Sequence, residues 1–377
     1  MTNSWRTPVL AHRHLALGSK LEDWNGMPTA WTYDTEISAD HAAIRTKAGL
    51  MDVSGLKKYH LVGPHASAVL DYLTTRNVSK ILPGRSAYAC FLNEAGKFID
   101  DGILYRTGPN AWFVVHGSGA GHAALSSAIA GRNVAMIFDD DLQDLSLQGP
   151  LAVEYLAKHV AGIRDLKYFH HMQTILFGKP VMISRTGYTG ERGYEIFCRS
   201  EDAELIWDTI LAEGAAMGIA PCAFTALDFL RVESYLLFFP YDNSEMYPFA
   251  EAAAGDTLWE LGLEFTVSPG KIGFRGAEEH YRLKGRERFK IFGLLLEGDK
   301  AADAGDEVFI DGRKIGVVTC AMASSLTHKS MAIARLEVAV AVHATALSVG
   351  CKSGMVRAIA HSLPFDDPGK TKRTAVG

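Results

Sequence analysis

Residues 185–197, RTGYTGERGYEIF, constrain the fold more than any other stretch, because they join a glycine-punctuated reversal to an alternating strand. Gly187, Gly190 and Gly193 permit tight backbone turns. Tyr194 to Phe197 then alternates, which puts Glu195 and Phe197 on one face. A carboxylate held on a strand beside such a turn suits a flat ring with two adjacent N–H donors, as a pterin has. The competing reading is an ordinary hairpin with a solvated Glu195.

Residues 88–101, YACFLNEAGKFIDD, carry the second signal. Asn93 to Gly96 reads as a turn between two apolar strands, and Asp100–Asp101 as a pair of carboxylates breaking the second strand. Adjacent acids on a strand point to opposite faces, so one can enter a pocket while the other is solvated or caps a turn. A solvated strand edge is again the competing reading.

Composition excludes several classes. The chain has 377 residues, enough for a large core and two or three lobes. Its 48% hydrophobic and 21% charged residues are those of a globular protein, and a net charge of −5 leaves no basic footprint for nucleic acid. The N-terminus shows no secretion signal, and the late apolar run 338–349 is interrupted by His343 and too short to span a bilayer. No membrane association is expected. Five scattered cysteines without C-x-x-C spacing read as reduced thiols of a cytoplasmic protein.

Strand-like runs at 58–62, 111–116 and 180–184 mix with helical ones such as 203–218, which predicts an α+β fold rather than repeated βαβ units. Composition shifts after 284–288, KGRER. Short strands with turns at 297–298 and 311–312 then suggest a β-rich domain over 285–377, whose tail from His361 onward is expected to be loosely ordered. Residues 116–122, HGSGAGH, imitate a phosphate loop without completing G-x-G-x-x-G. The neighbouring His170 and His171 should point apart, and with no second cluster of ligand spacing no metal site is expected.

In order along the chain, RTKAGLMDVS (45–54), GRSAYACFLNEAGKFIDD (84–101), LQGP (147–150), GYTGERGYEIF (187–197), ALDFLRVE (226–233), KIGFRG (271–276), GVVTCAMASS (316–325) and IARL (333–336) resemble the aminomethyltransferase family of the glycine cleavage system and its tetrahydrofolate-dependent demethylase relatives. The resemblance covers roughly residues 20–345. It implies two interleaved αβ folate-binding lobes over 1–284, a C-terminal β-barrel over 285–377, and a central channel for tetrahydrofolate.

Carried over position by position, the resemblance makes Glu195 the pterin clamp, a charged acceptor of directional hydrogen bonds. Tyr88 packs on the folate ring. Asp100 or Asp101 lies near N5 of the cofactor, and both stay in play. Arg231 matches the second arginine of the family's A-R-D-x-L-R-L-E helix, with folate-tail binding or channel support as its role. Tyr188 is a further cofactor candidate. His116 stands where the family has Asn, so its loop is expected to line the folate or substrate site.

The departures shape the expected substrate. Leu227 replaces the first arginine of that helix, and Gly55 stands where DVSH is usual. After Glu233 the chain is longer than the family segment and clusters Phe238, Phe239, Tyr241, Tyr247 and Phe249. The readings are extra core or a remodelled aromatic substrate wall. On the second, Phe238 and Phe239 would contact substrate, and Tyr241, Tyr247 or His116 would stabilise a departing oxygen. His170 or His171 would meet a substrate carboxylate. The expectation is a tetrahydrofolate-dependent demethylase acting on a small methylated, methoxybenzoate-like compound. The alternatives are a glycine-cleavage aminomethyltransferase and a folate-binding protein without chemistry. Oligomeric state is not legible in the sequence.

Overall fold

The computed structural model describes residues 4–244, 246–248, 255–324 and 327–375; Phe249 and Ser325 lie outside them. The chain interleaves two sheets. It enters the first with Ala48–Asp52 and leaves for the second with Lys57–Val62, Ser86–Leu92, Phe98–Gly108, Ala111–His116 and Ala135–Phe138. It then returns with Leu142–Gln148, His171–Leu176, Lys179–Ser184, Gly193–Arg199 and Ile219–Pro221. Only the pairing of Ile219–Pro221 with Ala48–Asp52 is parallel among the described strands of these sheets.

Each sheet buries its outer face under helices. The first packs Leu145, Tyr194 and Ile196 against the helices Ala152–Leu156 and Ser200–Gly214. The longer helix turns Ala203, Ile206, Trp207 and Ile210 inward at three- to four-residue spacing, with Glu201 and Asp202 at the electropositive end of its dipole. The second sheet covers Phe91, Leu104 and Trp112 with Ala66–Leu73 and Gly121–Ile129. The inner faces meet in a small aromatic layer of Tyr105, Phe113, Val115, Met182 and Phe197.

Six C-terminal strands from Lys290–Leu296 to Gly354–His361 close into a barrel, whose ends seal by antiparallel pairing of its first and last strands. A further core of Cys90, Phe98, Leu258, Phe274, Met322 and Ile333 welds barrel to lobes. The architecture is the α+β one expected from the sequence.

Two local expectations need correction. Asp100 and Asp101 do not break their strand, which runs from Phe98 to Gly108. Each acid is accommodated by pointing to its own face while the backbone keeps pairing, Asp100 with Phe91 and Asp101 with Cys90. The tail is not loose over its described part. The backbone N–H of Phe365 donates to Glu233 O at 2.9 Å, Asp367 caps a short helix at Thr371–Thr374, and the Arg185 guanidinium donates to the carbonyl of Arg373 at 3.1 Å.

Candidate active site

The glycine turn is seated by a motif distant in sequence. A Cβ on either Gly187 or Gly193 would lie 2.1 Å from Gln148 Oε1, so both glycines make room for the glutamine of LQGP. Gln148 in turn donates to Thr186 O at 3.1 Å and accepts from Thr189 Oγ1 at 3.0 Å. Gly190 adopts φ +82°, a left-handed conformation that a side chain would strain.

This turn presents Glu195 to the gap between the sheets, where it is 7% exposed. The solvated reading fails. The Tyr105 hydroxyl donates to Glu195 Oε2 at 3.2 Å, and the Thr186 hydroxyl donates to the same oxygen. Burial raises the carboxyl's pKa, partly opposed by these two donors. Beside it, the His171 ring meets Tyr105 edge-on at 5.6 Å between centroids. Burial and neighbouring His170 push His171 down to about 4, so it is neutral at pH 7, and its Nδ1 has no partner.

Asp101, Ile103 and Tyr105 alternate onto the strand face that looks at the first sheet, and Tyr88, paired with Ile103, shares it. Four residues along a strand place Asp101 about 13 Å from Tyr105. The Tyr88 hydroxyl donates to Asp101 Oδ2 at 2.6 Å. Burial, reinforced by the Asp100 charge, raises Asp101 to about 7.

Asp100 takes the opposite face. It is fully buried, accepts the Gly121 N–H at 2.8 Å, and lies 2.9 Å from His116 Nδ1. His116 stacks on Tyr59 at 5.4 Å. Strand pleating therefore separates the two acids, and the glycine-rich 116–122 loop wraps Asp100. His116 is accordingly buried between Asp100 and Tyr59.

A cavity of about 300 Å³ opens at the junction of the lobes and the barrel, and Tyr188 lies within electrostatic reach of both Asp101 and the cavity's Asp228 and Arg231. Its walls include Trp31, Asp228 and Arg231 of the Phe224–Ser234 helix, Phe238, Tyr241 and Tyr247, and Thr319 and Cys320 of the barrel. Tyr188 links the two regions: it donates to Leu236 O at 3.0 Å and meets Phe238 edge-on at 6.5 Å. It therefore props the aromatic segment. Arg231 is held by Asp228 at 2.6 Å and by Asp242, so its guanidinium is engaged within the wall rather than free for a folate carboxylate.

Phe238, Tyr241 and Tyr247 thus line the cavity, whereas Phe239 turns into the core against Phe98 at 5.6 Å. His170 and His171 sit at the Glu195 end, not beside the aromatic wall, because the edge strand carrying His171 pairs beside the Glu195 strand's neighbour. Sequence reading missed Tyr105 and Thr186, although Tyr105 follows Asp101 by four residues on the same face. Asp228, three residues before Arg231, was also visible by helical spacing. Trp31 and Cys320 left no signal, since only the tertiary fold brings them here.

Residues 10–271 match the GCVT N-terminal domain, and residues 290–367 match the glycine cleavage T-protein C-terminal barrel domain. The chain belongs to the glycine cleavage T-protein family. It is 68% identical over 377 residues, covering all of both chains, to the heme-dependent oxidative N-demethylase gamma subunit of Ectopseudomonas mendocina (strain ymp). It is 31% identical to an aminomethyltransferase of Bacillus mycoides (strain KBAB4), covering 96% of this chain and 97% of that one. The aminomethyltransferase T structure from Bartonella henselae superposes with a TM-score of 0.85 at 26% identity, covering 96% of this chain and 98% of that one. These similarities support enzymatic one-carbon transfer. They replace the methoxybenzoate O-demethylase likeness, since the 68% identical relative is named for N-demethylation.

Proposed function

We propose that this protein is a tetrahydrofolate-dependent one-carbon transferase serving the demethylation of an N-methylated compound. The observation that carries the reading is the line across the inter-sheet gap from Glu195 on one sheet to Tyr105 and Asp101 on the other, with a buried acceptor at one end and an acid titrating near neutrality at the other. The residues fit a bound pterin: Glu195 is a buried acceptor, and the unpartnered His171 Nδ1 adds a second polar atom beside Tyr105. When bound, tetrahydrofolate would supply nucleophilic N5 and N10.

In this reading Glu195 grips the ring's N–H edge and fixes its orientation. Tyr88 packs on the cofactor while its hydroxyl orients Asp101. Asp101, protonated below about pH 7, donates a proton to the departing group and then accepts one back. The N-demethylase relative is named oxidative, which favours a carbon at the formaldehyde level over an intact methyl group. A glycine-cleavage aminomethyltransferase is the second reading, favoured by the 31% identical relative; Leu227 in place of the helix arginine counts against it. The five cysteines are free thiols, which suits a cytoplasmic enzyme.

Purified protein should be incubated with tetrahydrofolate and either formaldehyde, an N-methylated amine or an aminomethyl-lipoyl carrier. Enzyme-dependent methylene-tetrahydrofolate from formaldehyde supports the proposal. Product from the lipoyl carrier alone would return the protein to glycine cleavage, and 5-methyltetrahydrofolate would instead indicate direct methyl transfer.

A further inference from the structure

The cavity between the Phe224–Ser234 helix and the barrel has a chemistry of its own. Four aromatic side chains line it, Trp31 from the N-terminal region and Phe238, Tyr241 and Tyr247 from the 238–247 segment, with Phe238 4.9 Å from Tyr241 between ring centroids. Arg231 is the one cation among its described lining residues. It is already ion-paired with Asp228 and Asp242, and these three groups together sum to one negative charge. The Asp228 side chain remains 31% exposed while lining the cavity. Asp303 adds a second carboxylate at the rim, tied to the exposed Lys352 at 2.9 Å.

Aromatic faces attract cations through the ring quadrupole, and a nearby uncompensated carboxylate reinforces that preference. A carboxylated aromatic would meet the reverse arrangement, with the guanidinium committed to Asp228 and Asp242 and a net negative charge on that group. The volume, about 300 Å³, is at the small end for a ligand pocket.

We infer that this cavity binds a small alkylated ammonium or iminium cation, with Trp31, Tyr241 and Tyr247 as an aromatic cage and Asp228 as its counter-charge. The inference deepens the proposed function and rests on it: it gives the amine partner of that reaction a site of its own, with Tyr188 between it and Asp101. Two features follow. Selectivity is for charge and compactness rather than for hydrogen-bonding pattern, because the cage offers faces and one carboxylate. The remodelled 238–247 segment is then what distinguishes this site from one receiving a carrier arm.

The test uses the full chain without folate, titrated with tetramethylammonium or dimethylammonium chloride and followed by saturation-transfer NMR and tryptophan fluorescence. Sodium chloride at equal ionic strength is the control. Both cations should bind saturably, whereas tert-butanol, a neutral compound of similar bulk, and benzoate should not. Tyr241→Ala and Tyr247→Ala should each weaken cation binding roughly three- to thirty-fold, the range for loss of one aromatic face. Tyr241 is 37% exposed, so its truncation spares the core. Asp228→Asn should weaken the cations and leave tert-butanol unchanged. Equal binding of tert-butanol, preferential binding of benzoate, or unchanged cation affinity in Tyr241→Ala would overturn the inference. Folate binding is measured separately: a chain that binds the cations but no folate keeps this site and loses the proposed reaction, and the converse loses only this site.

Discussion

The Tyr105 hydroxyl lies 3.2 Å from the Glu195 carboxylate, so a strand of one sheet hands a proton donor to an acid on the other. Because Asp101 shares the strand face of Tyr105, this single contact sets the distance between the acceptor end and the acid end of the site. Rigid strands hold such spacing better than loops do.

Glu195→Ala should weaken tetrahydrofolate binding by about 1.5–3 kcal/mol, the usual worth of a hydrogen bond to a charged group. Calorimetric titration checks this. Tyr105→Phe should cost less, because Thr186 still donates to the carboxylate. An unchanged affinity in Glu195→Ala would remove the clamp.

The two neighbouring aspartates should separate by kind of defect. Asp101→Asn should slow turnover roughly 10²- to 10⁴-fold, as expected for loss of a general acid, while leaving the melting temperature near that of the wild type. Asp100→Asn should lower stability, since it disturbs the buried pairing with Gly121 and His116, yet spare turnover by the folded fraction. Equal, near-normal rates in both would take the acid out of the mechanism.

A pH profile tests the raised carboxyl of Asp101. Its acid form prevails below about 7, so turnover limited by proton donation should fall as pH rises through that value. Stability moves the same way: between about pH 4 and pH 7 the native state holds a proton that the unfolded chain has released. Urea denaturation should therefore show stability decreasing across that window, with a shallower decrease in Asp101→Asn.

Arg45 is buried between two acids, donating to Glu191 at 2.9 Å and to Glu233 at 2.8 Å. Arg45→Met would remove the shared cation and leave Glu191 with Lys372 and Glu233 with His41 as their remaining partners. A loss of about 1.5–3 kcal/mol is expected in denaturant unfolding, the worth of hydrogen bonds to charged groups. A change below about 1 kcal/mol would show that the network is solvated.

Local sequence pattern determined much of this protein. Alternation at 194–197 put Glu195 on a pocket-facing strand, Asn93 to Gly96 closed its hairpin, and adjacency alone required Asp100 and Asp101 to face apart. Which of those two acids faces the inter-sheet gap was decided by the tertiary structure, because local pleating is blind to what covers each face. The helix Gly121–Ile129 and its glycine loop bury the Asp100 side, and the other sheet borders the Asp101 side. The same limit governed the aromatic segment. Its composition announced an apolar wall, but Phe239 went to the core and Phe238 to the cavity. Arg231 read as a folate-tail binder or a channel support, and folding brought Asp242 onto it from eleven residues away. Charge balance within a site depends on such non-local approach, and no spacing rule along the chain contains it.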